Sequence, residues 1–429
     1  MIDPEALHVW YEQQLVGYLW RDKTSRIGFR YNENWLNKEG FAISVSLPLA
    51  LEEYSSENAI AHHFFANLLP EGNAREQIVT DLKIANSDFE LLRAIGGECA
   101  GALSILPDDR EPSGKSAYEE LSEGEFQNLI KSKGNVYTRA HHKDEDDQTE
   151  FPRLSLAGAQ NKCPVLVRDN KVFIPRGEAP STHIIKFTVP DYRHVPAFEA
   201  VLTNLARQIG LNTVDIEFKK LEIEKQEHHY LVVSRYDRQV NKNGIITRLH
   251  QEDFCQALGI SRDRKYEQHN GVSFADCYHI LQKTSIEPVK DVLQLLKWQS
   301  FNYLAGNSDG HAKNLSLLYE KNNNIRLAPF YDLVCTRAID RIDQNLAFAI
   351  GGQRTPGNIQ FTHWQDEAES LGIRKTYLQN LVHETANQIQ SSLRGVVDEF
   401  QQQHGDYAAL QRVVQVIEQQ CKRILESKK

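Results

Sequence analysis

Apolar and polar residues alternate with a period of two along much of the first 110 residues, as expected of short strands that bury one face. The stretch 59–69 instead places its apolar residues on one side of a helix and ends at Pro70 and Gly72. The pattern therefore predicts a small module of sheet and helix. Its predicted strands are 7–10, 15–20, 27–31, 41–47 and 103–106.

The pattern changes after residue 110. Residues 111–152 are polar and include a charged run at 143–147, so we predict a solvated linker that contains a domain boundary. Beyond it, apolar runs predict a second set of strands, with a turn at Asp169 and Asn170 between the first two. This second set is predicted at 163–167, 171–174, 182–187, 218–223 and 229–233.

These elements predict a mixed α/β (α+β) chain that is mostly helical after its second set of strands. Helical spacing predicts helices at 197–209, 251–258 and 274–284. An apolar stripe at 410–424 predicts a C-terminal helix that packs in the core rather than one that binds a partner. The four predicted parts are an N-terminal subdomain (1–110), a polar linker (111–152), a small lobe (153–238) and a helical C-terminal lobe (239–429).

Composition narrows the class of protein. The 429 residues are 25% charged and 41% hydrophobic, which is ordinary for a globular protein of two or more domains. A net charge of −9 argues against a DNA-binding surface of its own. No apolar run approaches the roughly 20 residues of a membrane span, and the scattered cysteines suit a reducing cytoplasm. Several histidines are adjacent pairs whose side chains point apart, which argues against a structural metal site.

The stretch 302–332 carries the candidate chemistry. It begins at the end of an apolar helix and then places Asp309 and Asn314 five residues apart in a polar turn. Two apolar runs within 315–327 follow, joined by an asparagine-rich turn that predicts a hairpin. Asp332 comes shortly after it. Phosphoryl transfer requires such parts, because one carboxylate activates a hydroxyl group and oxygen ligands hold Mg²⁺ on the phosphates.

The phosphate-binding half is predicted upstream. Small residues within 153–162 form a turn before a strand, and the backbone N–H groups of such a turn can contact a triphosphate. Lys186 interrupts an apolar strand, where an ammonium group is costly unless it meets an anion. Glu199 lies near the start of the next amphipathic helix, which is the place of an ion-pair partner for that lysine in kinases.

Each feature also has a plainer interpretation. An Asp-Gly pair is usually a turn, and Asn314 is equally consistent with a cap. The turn at 153–162 fits a plain hairpin as well as a nucleotide-binding loop, and Lys186 fits an edge strand whose ammonium group reaches solvent. The glycine-rich residues 96–101 favour close packing over phosphate binding, because no helix follows them.

Taken in order, the motifs resemble those of the HipA family, the serine/threonine kinase toxins of type II toxin–antitoxin systems. The resemblance extends over nearly the whole chain. It implies a two-lobed α/β kinase fold related to lipid kinases, with the N-terminal subdomain packed on the small lobe. The matching motifs are FFANLLPEG, IGGECAGALSILP, RLSLAGAQNK, THIIKF, SRYDR, HQEDFCQALG, NSDGHAKN and APFYD.

The resemblance also implies roles for individual residues. Asp309 is the catalytic residue that activates the acceptor hydroxyl, Asn314 and Asp332 bind magnesium, and Ser155 is the autophosphorylation site. Position 234 is serine where glutamate is common in the family, so a backbone contact with ATP is what the resemblance supports at this hinge. The implied ATP site consists of Ala157, Gly158, Ala159, Gln160, Asn161, Lys162, Lys186, Ser234, Arg235, Tyr236, His311, Lys313, Asn314, Tyr331 and Asp332.

The function implied is an ATP- and Mg²⁺-dependent kinase toxin of the bacterial cytoplasm. It would phosphorylate a translation component, glutamyl-tRNA synthetase or a similar protein, and so arrest growth and promote persistence. A HipB-like helix-turn-helix antitoxin would neutralise it and provide most of the contact with operator DNA. The alternatives are a small-molecule kinase of the aminoglycoside or lipid type and a non-catalytic partner of a DNA-binding repressor. The presence of Lys186, Asp309 and both predicted magnesium ligands argues against the non-catalytic alternative.

Overall fold

The computed structural model describes residues 6–38, 40–114, 116–136, 152–158, 160–188, 192–268 and 270–426. The chain forms two compact units, each discontinuous in sequence. The first consists of Met1–Val189, Lys219–Arg262 and Leu317–Asn323, and the second of Pro190–Phe218, Asp263–Ser316 and Asn324–Lys429. The charged run at 143–147 lies outside the described residues.

Strands make up most of the regular structure in the first unit, and a few strand residues lie in the second unit. The described strands are β1 (Leu7–Tyr11), β2 (Gln14–Arg21), β3 (Ile27–Tyr31), β4 (Leu103–Pro107), β5 (Ala117–Glu120), β6 (Lys162–Arg168), β7 (Lys171–Arg176), β8 (His183–Phe187), β9 (Ile216–Ile223), β10 (Gln226–Ser234), β11 (Arg238–Val240), β12 (Ile246–Arg248), β13 (His250–Asp253), β14 (Ser316–Tyr319) and β15 (Ile325–Leu327).

Long helices dominate the second unit, whereas the helices of the first unit are mostly shorter. The described α-helices are α1 (Glu33–Asn37), α2 (Ile60–Ala66), α3 (Gly72–Leu82), α4 (Asp88–Ile95), α5 (Glu123–Lys131), α6 (Val195–Gln208), α7 (Phe254–Ala257), α8 (Phe274–Thr284), α9 (Pro288–Ala305), α10 (Phe361–Ser370), α11 (Lys375–His404) and α12 (Leu410–Glu426).

Two sheets share one core in the first unit. The antiparallel sheet β3-β2-β1-β4 belongs to the N-terminal module, and the six-stranded sheet has the order β5-β7-β6-β8-β10-β9. Buried residues of both sheets belong to a single hydrophobic cluster, which includes Phe29 and Phe64 from the module and Val165 and Ile185 from the larger sheet. The predicted packing of the N-terminal subdomain on the small lobe is therefore confirmed.

Two turn predictions are confirmed by the backbone. Asp169 and Asn170, between β6 and β7, have positive φ angles of 51° and 60°, which their short polar side chains tolerate. In the glycine-rich stretch, a Cβ atom added at Gly97 would lie 2.6 Å from the carbonyl oxygen of Gly177. Close backbone approach thus explains this glycine, as the sequence predicted.

One predicted element is wrong in type, and another begins later than predicted. Residues 41–47 form an isolated bridge between Ser44 and Leu47 rather than a strand, and Ser44 donates its buried hydroxyl to Glu252. The predicted helix 251–258 is right only in its second half, since residues 251–253 belong to β13 and α7 covers Phe254–Ala257. Asp253 caps that short helix in a capping box with Gln256, so the helix cannot begin earlier.

The polar stretch after residue 110 contains regular structure. Strand β5 pairs antiparallel with β7 at the edge of the six-stranded sheet. Helix α5 begins at a capping box in which Ser122 and Glu125 exchange side-chain and backbone hydrogen bonds. Strand β5 has no buried residue and helix α5 buries Leu129 and Ile130, so their apolar pattern is weak and did not predict them.

The second unit is built around helix α11. This 30-residue helix contacts α6, α9, α10 and α12. The predicted stripe on α12 is buried, which confirms its role in core packing; its buried members include Leu410, Val413, Ile417, Cys421 and Ile424. Within the described residues, no helix combines the length and apolarity that crossing a bilayer requires.

A buried carboxyl group in the first unit should make stability depend on pH. Glu252 is fully buried, and it accepts hydrogen bonds from Ser44 Oγ, Val45 N and Tyr319 Oη. Burial raises the pKa of Glu252 from 4.5 to about 7, although these hydrogen bonds oppose the shift. Between those two values the unfolded chain loses this proton and the folded chain keeps it. The free energy of unfolding should therefore fall by up to about 3 kcal/mol as the pH rises through this window.

The substitution Glu252→Gln tests this effect. The neutral amide should leave stability almost unchanged at pH 5 and make the protein more stable than the unmodified chain at pH 8. Chemical denaturation at both pH values measures the difference. Glu57→Gln, at an exposed position, is the matched control and should change neither value. Equal stabilities of Glu252→Gln and the unmodified chain at pH 8 would contradict the prediction.

Candidate active site

The turn after α9 presents Asp309 to solvent. Helix α9 ends at Gly306, whose φ of 72° reverses the chain. The side chain of Asn307 fixes the turn, since its Oδ1 accepts from Asp309 N (3.1 Å) and its Nδ2 donates to Asn302 Oδ1 (2.9 Å). Every residue from 301 to 319 is buried except Asp309. A carboxylate that is exposed inside such a buried run is positioned for contact with a ligand rather than for packing.

Asn314 closes the loop onto Asp309. Its Nδ2 donates to the carbonyl oxygen of Asp309 (2.9 Å), and His311 N donates to that same oxygen (2.9 Å). Residues 312–314 form a short 3-10 helix between these contacts. The five-residue spacing therefore produces a compact loop in which Asn314 uses its amide nitrogen locally, leaving its amide oxygen as the group suited to a cation.

His311 lies beneath the loop. Its side chain is buried, and burial lowers its pKa to about 4, so the imidazole is neutral at pH 7. The carboxylates of Asp309 and Asp332 both act electrostatically on this ring and partly oppose that shift. His311 is thus near both predicted carboxylates, and its neutral form adds no charge to the site.

The segment that carries Asp332 is fastened to the same loop. Tyr331 Oη donates to the carbonyl oxygen of Lys313 (2.9 Å) and lies 2.8 Å from Ser316 Oγ. Asp332 itself has a φ of 56°, a left-handed conformation that aspartate tolerates better than most residues. The second unit therefore brings together the predicted residues Asp309, His311, Lys313, Asn314, Tyr331 and Asp332. The hairpin prediction also holds, as Ala328 N donates to Ser316 O and Asn322 and Asn323 have positive φ.

Ser155 is held inside the first unit. Its backbone N donates to Glu98 O (2.8 Å), and its Oγ donates to Leu68 O (2.8 Å). The side chain has 0% exposure. Further along, Glu71 N donates to Gly158 O (3.0 Å), so the predicted phosphate-covering loop lies against the N-terminal module. Ala159 lies outside the described residues.

The end of this loop places two lysines together. Lys162 on β6 is the direct cross-strand partner of Lys186 on β8, so their side chains lie on the same face of the sheet. Gly158 has a φ of 111°, and a Cβ atom added there would lie 2.8 Å from Lys162 Nζ. Gln160 Nε2 donates to Phe187 O, and Phe187 N donates to Asn161 O. Loop and lysines thus form one compact cationic region, which requires glycine at position 158.

Comparisons with known proteins agree with these motifs. A family model described as the HipA-like C-terminal domain matches residues 154–393, and the HipA N-terminal domain matches residues 7–106. The chain belongs to the HipA family. The first match contains the loop of Asp309 and the lysine pair, and the second contains the module that holds Ser155 in place. The resemblance to the HipA family is therefore confirmed in both the N-terminal and the C-terminal part of the chain.

Individual relatives of this HipA-family chain are similar over nearly its full length. It is 34% identical over 401 residues to "Putative kinase Y4mE" of Sinorhizobium fredii, which covers 92% of this chain and 93% of that protein. It is 29% identical to the serine/threonine-protein kinase toxin HipA of Shewanella oneidensis, over 89% of this chain and 87% of the relative. The solved complex of Shewanella oneidensis HipA with HipB and its operator DNA aligns with a TM-score of 0.80 and 26% identity, over 98% of this chain and 97% of that one. The chain is thus a HipA-like kinase of the toxin–antitoxin type.

The residues of the predicted hinge, 234–236, differ in their surroundings. Ser234 ends β10, and Arg235 N donates to Thr182 O (2.9 Å). The Arg235 side chain, however, is buried and bonds Asp237 Oδ2 (2.7 Å) and Glu98 Oε1 (3.0 Å). Its guanidinium is therefore engaged in a buried ion cluster. A contact between ATP and position 235 would have to use the backbone.

Glu98 is the centre of that ion cluster. Its carboxylate contacts the guanidinium groups of Arg235, Arg238 and Arg248 at 2.7 to 3.0 Å. Burial alone would raise the pKa of Glu98, but these three cations outweigh it and lower that pKa. Because the backbone of Glu98 also holds Ser155, the cluster anchors the segment that carries the predicted autophosphorylation site.

The predicted pair of Lys186 and Glu199 stays a prediction. Both side chains are buried, with 5% and 1% exposure. Lys186 lies on β8 in the first unit and Glu199 on α6 in the second.

Sequence reasoning missed two residues near Asp309 and one near Ser155. Tyr266 donates to the Asp309 carboxylate, Asn302 anchors the turn through Asn307, and Glu98 organises the arginines. Tyr266 and Glu98 make contacts over 43 and 137 residues of sequence, respectively. The sequence did contain a signal for Asn302, because it is a polar residue in an otherwise apolar helix and comes shortly before the predicted break at Gly306.

Proposed function

We propose that this chain is an ATP- and Mg²⁺-dependent serine/threonine protein kinase that acts as the toxin of a bacterial toxin–antitoxin pair. The observation that carries this proposal is the exposed carboxylate of Asp309 in an otherwise buried loop. A carboxylate in that place can orient an acceptor hydroxyl and accept its proton, which is the role of the catalytic aspartate in kinases. The substrate proposed is a translation component, glutamyl-tRNA synthetase or a similar protein, whose phosphorylation would arrest growth and promote persistence.

The oxygen donors present fit Mg²⁺. Asn314 and Asp332 would hold the ion through amide and carboxylate oxygens, which are the hard ligands that Mg²⁺ prefers. Among the described residues there is no group of three or more His, Cys, Asp or Glu side chains that could hold a metal by itself. That is compatible with Mg²⁺, since kinases bind it by one or two protein oxygens together with the substrate phosphates. Bound Mg²⁺ neutralises charge on the phosphate oxygens.

The lysine pair supports binding of the ATP phosphates. Lys162 and Lys186 lie opposite each other on neighbouring strands, so both ammonium groups could contact one triphosphate. The loop from Ala157 to Lys162 would add backbone N–H groups, and Gly158 keeps its backbone free of a side chain close to Lys162. His311, Lys313, Tyr331 and the backbone of Ser234, Arg235 and Tyr236 complete the proposed ATP site.

Autophosphorylation at Ser155 is proposed as the step that inactivates the kinase. Since Ser155 is fully buried, the loop must leave its place against Leu68 and Glu98 before the hydroxyl can accept a phosphoryl group. A phosphate with a charge of about −1.5 to −2 could not return to that buried position. Phosphorylation would therefore keep the loop out.

The partner proposed is a HipB-like helix-turn-helix antitoxin in the cytoplasm of a bacterium. With a net charge of −9, the kinase would reach operator DNA mainly through that antitoxin. An electrophoretic mobility assay should show a shift of operator DNA with the antitoxin and a further shift with both proteins. A strong shift by the kinase alone would contradict this division of roles.

A labelling experiment tests the kinase proposal. The purified chain is incubated with γ-labelled ATP, Mg²⁺ and a bacterial lysate, and labelled proteins are separated and identified. We expect a labelled band of the chain itself and at least one labelled lysate protein. Ser155→Ala should remove the label from the chain and leave the lysate label. A complete lack of labelled protein together with phosphorylation of small amines or lipids would favour the small-molecule kinase instead.

A further inference from the structure

Tyr266 contacts the carboxylate of the proposed catalytic residue. Its phenol Oη donates a hydrogen bond to Asp309 Oδ1 at 2.7 Å. The ring also lies edge-on against His311, with centroids 5.1 Å apart and planes at 85°. Tyr266 therefore touches both the exposed carboxylate and the buried imidazole beneath it.

The backbone on both sides of Tyr266 is fixed. Lys265 O accepts from Ala312 N in the catalytic loop (3.2 Å). On the other side, Glu267 N donates to Ala347 O (3.1 Å), and the Glu267 carboxylate accepts from Ala349 N (2.6 Å). Tyr266 thus belongs to a segment that is hydrogen-bonded to the loop that carries Asp309.

We propose that Tyr266 is a positioning residue for Asp309, an inference that rests on the proposed kinase function. The phenol binds one carboxylate oxygen and so selects one rotamer of an otherwise exposed side chain. The second oxygen is then available to the acceptor hydroxyl. Holding a reacting group in one orientation before the substrate arrives removes an entropic cost from the transition state.

Tyr266 could instead compete with the acceptor hydroxyl of the substrate for the Asp309 carboxylate. A phenol that donates to Asp309 also imitates an acceptor hydroxyl, and a substrate would have to displace it. The fixed backbone of Lys265 and Glu267 and the ring contact with His311 favour a permanent partner over one that leaves. The two roles predict opposite effects when the hydroxyl is removed.

The test is Tyr266→Phe, which keeps the ring and removes the hydroxyl. We expect kcat to fall roughly 10- to 100-fold, the range for losing a hydrogen bond to a charged group. The KM for ATP should change by less than about twofold, and the melting temperature should stay close to that of the unmodified chain. Tyr377→Phe, at an exposed position on α11, is the matched control and should leave kcat unchanged. An unchanged kcat of Tyr266→Phe would overturn the proposal, and a raised kcat would identify Tyr266 as a competitor.

A double-mutant cycle separates positioning from a general structural role. If Tyr266 acts through Asp309, then Tyr266→Phe should cause little additional loss in single-turnover rate once Asp309 is replaced by Ala, which removes the hydrogen bond from Tyr266. A full additional loss would overturn positioning through Asp309. Failure of the kinase proposal itself would appear differently, as the lack of phosphoryl transfer by the unmodified chain.

Discussion

Asp309→Asn is expected to lower the rate of phosphoryl transfer roughly 10²- to 10⁴-fold, the usual contribution of a general base. The substitution removes the carboxylate that would take the proton of the acceptor hydroxyl. It should not disturb the fold, because the side chain is exposed and the turn is fixed by the Asp309 backbone rather than by its carboxylate. Tyr266 can still donate to the amide oxygen.

Two measurements check this expectation. Single-turnover transfer from γ-labelled ATP gives the rate, and growth after induced expression reports toxicity. Asp366→Asn, at an exposed position on α10, is the control and should remain active and toxic. Undiminished growth arrest by Asp309→Asn would mean that toxicity does not depend on catalysis, as expected of a non-catalytic partner of a repressor.

The sequence was informative where function depends on neighbours in the chain. Asp309, Asn314 and Asp332 lie within 24 residues, and their loop is closed by local bonds such as Asn314 Nδ2 to Asp309 O. Spacing alone could therefore indicate a common site. The strands of the N-terminal module were predictable for the same reason, because burial of alternate side chains is a local pattern.

The rest depended on contacts between distant segments. Residues 41–47 alternate like a strand, yet Ser44 turns inward to bond Glu252, which lies 208 residues away. That glutamate lies in β13, which occupies the first part of the stretch where helical spacing predicted a helix. Tyr266 is a single tyrosine in a polar stretch, and nothing local distinguishes it from a surface residue. Only the folded chain brings its phenol to Asp309.

The second large effect is expected for Ser155→Asp, which should weaken ATP binding at least about tenfold. The serine hydroxyl donates to Leu68 O in a fully buried position. A carboxylate there would lose that bond and face a carbonyl oxygen without solvent, at a cost of several kcal/mol. Among the described residues, the isolated bridges between the module and the loop are those of Glu98 with Leu154 and of Pro70 with Gly158. Such short pairings cannot offset that cost, so the loop should leave its position.

Calorimetric titration with ATP and Mg²⁺ measures the change in affinity, and limited proteolysis within 153–162 measures release of the loop. Ser155→Ala is the matched variant, since it loses one hydrogen bond worth about 1 kcal/mol and adds no charge. It should bind ATP within about threefold of the unmodified chain and resist proteolysis. Ser391→Asp, exposed on α11, controls for the added charge. If Ser155→Asp were cleaved faster yet bound ATP unchanged, the loop would move without covering the phosphates. Phosphorylation of Ser155 could then not inactivate the kinase by weakening its binding of ATP.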